Sequence, residues 1–151
     1  MKTTKLKNLN ACRDAVEWTK TQKSPILAWR NCERGDWMLW LAKKLNVDDK
    51  KLTMAKAMCA KQVEHLMKDQ RSKDALQACF DYVNGKITRE ELSAADAAAD
   101  AAAAYAAAYA AAAAAVYAAY AARISSLKKS ADICREYLTK EFLTKYKKLR
   151  S

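Results

Sequence analysis

Apolar positions recur along this chain at helical spacing, and the breaks between them are few. Leu9, Cys12 and Val16, with neighbouring Ala15, share a stripe and predict a first helix from about Lys5 to Lys20. Ser24-Pro25 is a start signal, because Ser can bond the free N–H groups of a first turn and Pro suits the first helical position. The helix it opens carries Ile26, Leu27 and Trp29 and is predicted to end at Gly35. Asp36 then caps a short helix from Trp37 to about Leu45. Asp48 or Asp49 caps a longer one to about Met67, with Leu52, Ala55, Cys59, Val63 and Leu66 inward. Ser72 is the predicted cap of a helix to Asn84, with Ala75, Leu76, Cys79, Phe80 and Val83 inward and Gly85 as its stop. Thr88-Arg-Glu-Glu91 matches a capping box.

The box opens an unusual segment. Between Ala94 and Ala122 all but seven of 29 residues are Ala, the strongest helix former. With Tyr105 set at 0°, Tyr109, Val116 and Tyr120 fall within about 60° on a helical wheel, and Tyr117 sits at the edge, near 120°. Asp96 and Asp100 fall on the opposite side, towards the N-terminal end, where the helix dipole favours them. The run is long enough to span a bilayer, but it holds no Leu, Ile or Phe, and its Tyr residues are not gathered at two interfacial belts. It also lacks the row of Thr that an ice-binding face needs. Packing is the reading that remains: methyl faces let helices approach closely while Tyr rings fill the gaps. The expected architecture is therefore all-α, a bundle of six to seven helices and no sheet in a single domain over residues 1–151. A long alanine- and tyrosine-rich central helix occupies about 88–124. A basic amphipathic helix follows at about 126–149, with Leu127, Ile133, Cys134, Leu138 and Phe142 apolar. Ser125-Ser126 is either a turn or a weak spot in one continuous helix. A second copy could cover any overhang of the alanine face, which makes a homo-oligomer one expectation.

Charge sharpens this picture. The net charge is +11, and residues 1–23 carry +4, residues 24–93 +3, residues 94–122 −2 and residues 123–151 +6. Basic ends flanking a near-neutral middle suit an acidic partner, nucleic acid or a membrane surface, or simply solvate helix faces. The five Cys are odd in number and form no C-x-x-C, and the N-terminus lacks a secretory apolar run, so a reducing cytoplasm is expected.

Few residues offer catalytic chemistry. His65 is the single histidine, and Asp69, four residues on, could bond it across a helical turn, with Arg71 just beyond. The group reads either as a polar cluster tying helix to loop or as a small anion- or partner-binding site. Every Cys is placed on an apolar stripe, where it behaves as a small hydrophobe, so no Cys–His catalytic pair is expected. One His and scattered Cys give no metal-ligand spacing, and two isolated Gly give no phosphate loop. No cofactor is expected. Trp37 and Trp40 share a helical face and read as core packing or as aromatic anchors for a partner. Lys140, Lys145, Lys147 and Lys148 on the basic C-terminal helix, interleaved with Tyr137, Phe142 and Tyr146, are the other candidate contacts.

Three features occur together: Cys32-Glu-Arg-Gly35-Asp36-Trp37-Met38-Leu39-Trp40-Leu41, the trio His65, Asp69 and Arg71, and the Ala/Tyr segment 94–122. In this, over roughly residues 26–135, the chain resembles an immunity-protein family of bacterial toxin–immunity systems with phage and prophage members. The resemblance implies an all-α fold and a non-enzymatic role, with a toxin or defence effector as protein target. Inhibitors of nuclease toxins are usually acidic, and at +11 this chain is no mimic of nucleic acid, which argues against a nuclease target. The alternative functions are a small nucleic-acid-binding accessory protein using the basic ends, or an oligomerising phage structural protein.

Overall fold

The computed structural model describes residues 3–62, 64–67, 69–97 and 116–148. The fold is an all-α helical bundle, with no strand among the described residues. The helices are α1 (Thr3–Asn8), α2 (Arg13–Lys20), α3 (Pro25–Asn31), α4 (Gly35–Lys44), α5 (Asp49–Lys61), α6 (Gln70–Val83), α7 over residues 89–97, and α8 (Val116–Lys148). A 3₁₀ turn, Glu64–Leu66, lies between α5 and α6. Among the described residues no helix is long and apolar enough to cross a membrane.

Local chemistry sets the helix ends. Ser24 Oγ accepts from the Leu27 N–H at 3.1 Å, and Pro25 takes the first turn of α3. Both arms of the predicted capping box form: the Thr88 N–H donates to Glu91 Oε2 at 2.7 Å, and the Glu91 N–H donates to Thr88 Oγ1 at 3.2 Å. Three helices stop in the same way, on a left-handed residue: Asn10 (φ 60°) after α1, Asn46 (φ 49°) after α4 and Gly85 (φ 74°) after α6. At each stop two N–H groups reach back over the last turn, as in Ala11 to Leu6 O at 3.0 Å and Asn10 to Lys7 O at 2.8 Å. That pairing satisfies carbonyls the helix leaves open, and Asn tolerates the conformation almost as Gly does.

Several sequence expectations shift. The first predicted helix is two, α1 and α2, because Asn10 turns the chain between them. Gly35 does not end α3; it is the first residue of α4, and Asp36 lies inside that helix instead of capping it. The cap of α6 is Asp69, whose carboxylate accepts from the Arg71 N–H at 2.9 Å, so the helix starts ahead of Ser72. The helix expected to reach Met67 ends at Lys61. Of the two readings open at Ser125-Ser126, the continuous helix is the one found, since α8 runs unbroken through both. Residues 98–115 lie outside the described residues, and with them most of the expected central alanine helix and its oligomerising face.

The chain forms two compact units. The first combines Met1–Asp48 with Leu127–Ser151. Its core takes Leu6, Val16, Trp29, Met38, Ala42 and Val47 from the N-terminal part, and Ala131, Cys134, Leu138 and Phe142 from α8. Those α8 positions recur every three or four residues, so one stripe of the basic helix is apolar while its lysines remain outside it. Each large side chain of that stripe contributes on the order of 1.5–3 kcal/mol by burial. The second unit is Asp49–Ser126, with Leu52, Thr53, Ala55, Ala57, Ala75, Leu76 and Leu92 buried. Within it Asp49 gathers α6 and α7: Tyr82 O–H donates to it at 2.7 Å, and Arg89 pairs with it at 3.4 Å.

Candidate functional site

Helix α4 is the GDWMLW element, and its side chains divide by face. Gly35, Met38 and Ala42 form its buried stripe. Gly35 has no room for a side chain: a Cβ there would lie 2.7 Å from the Ser130 carbonyl carbon and 2.8 Å from the Ala131 nitrogen. The start of α4 thus rests backbone to backbone on α8. Arg135 ties α3 to the same stretch, donating to the carbonyls of Arg30 at 3.1 Å and Cys32 at 2.7 Å. A guanidinium at that end satisfies open carbonyls and suits the negative pole of α3.

Beside the buried stripe, Trp37, Trp40 and Leu41 turn towards α2 and α3 and wall a cleft of about 60 Å³. The chain has four tryptophans, and all of them line this space, Trp18 from α2 and Trp29 from α3 completing the set. Trp29 is buried, stacked on Phe142 of α8 at 4.3 Å and 8°, and its Nε1–H donates to Thr139 Oγ1 at 2.9 Å. Trp18 and Trp37 meet at 6.0 Å with tilted rings. The Arg34 guanidinium lies 4.5 Å from the Trp37 ring centre, and Lys44 Nζ lies 6.0 Å from that of Trp40, both in reach of a cation–π contact.

Arg34 also holds Asp36 in a two-pronged pair, 2.9 Å from Nε and 2.6 Å from Nη2. Partial burial alone would raise the Asp36 carboxyl; the Arg34 bonds and charge, with backbone N–H groups of the first turn, outweigh it and hold the carboxyl below its ordinary value of 3.8. A carboxyl lowered by folding stabilises the fold fully above that ordinary value and loses the contribution as pH falls through its lowered one. Stability is therefore expected to fall below about pH 4. In Asp36→Asn that part of the fall should vanish, read as a flatter acid limb in urea-melt midpoints against pH.

The sequence candidates are divided between the two units. Trp37, Trp40, Lys140, Lys145 and Lys147 belong to the first unit, whereas His65, Asp69 and Arg71 belong to the second. Lys140 and Lys147 are exposed and Lys145 half-buried, while the side chain of Lys148 lies outside those described. The His65–Asp69 bond is corrected. His65 is exposed on the 3₁₀ turn, not one helical turn ahead of Asp69, and the Asp69 carboxylate is taken by Arg71, at 3.1 Å from Nε and 2.9 Å from Nη2. The pairing with Arg71 holds the exposed Asp69 carboxyl below its usual range.

The cysteines are not all on apolar stripes. Cys12 is exposed at the start of α2, where the chain is extended, and Cys32 is buried at the end of α3. Burial pushes the Cys32 and Cys79 thiols up, away from the thiolate a nucleophile needs. Among the described residues no group of three or more His, Cys, Asp or Glu side chains could hold a metal ion. The second unit has a larger cavity, about 260 Å³, lined by charges of both signs, Lys56 and Arg89 with Asp96.

Trp18, Trp29, Arg34 and Gly35 escaped sequence reasoning as parts of one site. The available signal was the confinement of all four tryptophans to residues 18–40. The surrounding charge is one-sided. The first unit holds 18 Lys and Arg against 8 Asp and Glu, a net of +10, whereas the second holds 10 against 9. No family model, curated protein or solved structure matches this chain.

Proposed function

We propose that this chain is a non-enzymatic binding protein of the inhibitor or immunity type, phage- or bacterium-encoded, that blocks a toxin or defence effector by direct contact through its first unit. The observation that carries this reading is the tryptophan-walled cleft set in a unit of net charge +10. Aromatic side chains beside arginine are the residue types that dominate protein interfaces energetically, and one-sided charge speeds encounter with an acidic partner. The resemblance of residues 32–41 to an immunity-protein element points the same way.

A tagged copy expressed in its source cells is expected to retain one protein in near-equal amount. Trp37→Ala with Trp40→Ala should abolish retention while the circular dichroism spectrum stays helical. The same net charge favours a second reading, a nucleic-acid accessory protein. That reading requires retained nucleic acid and an affinity that falls steeply as salt rises. Recovery of nucleic acid alone would overturn the inhibitor reading.

A further inference from the structure

The cleft constrains what can enter it. At about 60 Å³ it is under half of the roughly 150 Å³ that receives a benzene ring. A whole ring is not enclosed in that space, whereas the tip of a branched aliphatic side chain fits. Three of the indoles each have a partner on one face: Trp29 stacks on Phe142, Trp37 carries Arg34, and Lys44 stands over Trp40. Single-stranded nucleic acid gains much of its affinity by stacking bases on open aromatic faces, and the buried Trp29 does not offer one.

Around the apolar centre the charge is positive. Lys44 at Trp40 and Lys23, two residues ahead of Pro25, join no ion pair among the described residues.

We infer that the occupant of this cleft is a single branched aliphatic side chain carried on an acidic polypeptide segment. The aliphatic tip is buried between the indoles while flanking carboxylates face Lys23, Lys44 and the remaining positive surface of the first unit. This inference rests on the protein-binding reading above and names the chemistry of the partner.

The probe is a fluorescein-labelled peptide of Asp and Glu with one central Leu, titrated with the full chain and followed by anisotropy at about 0.15 M salt. Changing the central Leu to Ala should weaken binding by about tenfold, the effect of burying one such side chain. A Lys-rich peptide with the same Leu should not bind. In the protein, Ala28→Met plugs the cleft from its own wall without changing any charge. It should weaken the Leu peptide about tenfold and leave the Ala peptide unchanged. Lys44→Glu changes an exposed residue beside Trp40, keeps the fold and should weaken both peptides. Equal affinity for the Leu and Ala peptides overturns the inference. So does an Ala28→Met protein that binds the Leu peptide like the parent, or a labelled oligothymidylate that outcompetes it. If a protein is still captured from source cells when the peptide series fails, only the anchor chemistry is lost; if capture also fails, the function itself is.

Discussion

Gly35→Ala is expected to destabilise the protein by about 3 kcal/mol, at the upper end of what overpacking costs. Two effects oppose each other at this site. Ala is the better helix former by about 1 kcal/mol, which would favour the change. The added Cβ, however, meets the backbone of Ser130 and Ala131, not the far end of a side chain that could swing away. For the methyl to fit, α4 must withdraw from α8, loosening Met38 and Leu138 from the core they share. The clash therefore wins. Urea unfolding followed by tryptophan emission measures it, because every tryptophan belongs to the unit that loosens. Gly85→Ala is the control: φ is +74° there, but the nearest atom is Lys50 Nζ at 3.8 Å. It should cost only the left-handed strain of about 1 kcal/mol. Equal losses at both glycines would show that α4 and α8 do not approach as described.

Trp29→Ala is expected to cost about 4 kcal/mol, in the range for emptying a buried aromatic site. The ring is 3% exposed and stacked on Phe142, which in turn meets Tyr146 at 6.0 Å. Its removal merges the small cleft with a far larger void and strips Phe142 of its partner. Trp29→Phe separates packing from polarity. It keeps a ring against Phe142 and loses the bond to Thr139, whose own O–H still donates to the Arg135 carbonyl at 2.5 Å. Since the Thr139 oxygen then loses one donor but keeps a partner, the Phe variant should lose about 1–2 kcal/mol. A Trp29→Ala loss no larger than that of Trp29→Phe would mean the stack contributes nothing.

Much of this fold was legible because helices announce themselves locally. Ser24-Pro25, Thr88 with Glu91, and the stop at Gly85 each need only neighbouring residues, and each forms as the sequence implied. The apolar stripe Cys134, Leu138 and Phe142 follows from periodicity alone. What failed was set by tertiary contact or by competition between equivalent caps. Gly35 reads as a helix stop in sequence, yet its job is the close approach to Ser130, an element nearly a hundred residues on. Asp69 outcompetes Ser72 as a cap, and its carboxylate also pairs with the Arg71 guanidinium. Asn10 divides the first helix because Asn adopts a positive φ, which no hydrophobic pattern records. The tryptophan cleft lay in between: Trp37 and Trp40 were visible as a helical pair, while Trp18 and Trp29 join them only once α2, α3 and α4 are folded together. The division of charge, +10 in one unit and +1 in the other, also emerges only when the two chain ends are seen to pack as one.

The measurement that tests the account most directly is an indole ¹H–¹⁵N spectrum of the full chain, with its four tryptophans, titrated with the protein it captures from its source cells. Docking at the cleft predicts that the Trp37 and Trp40 signals shift and saturate at one equivalent. Saturating shifts confined to residues 49–126, with all four indole signals unmoved, would contradict it.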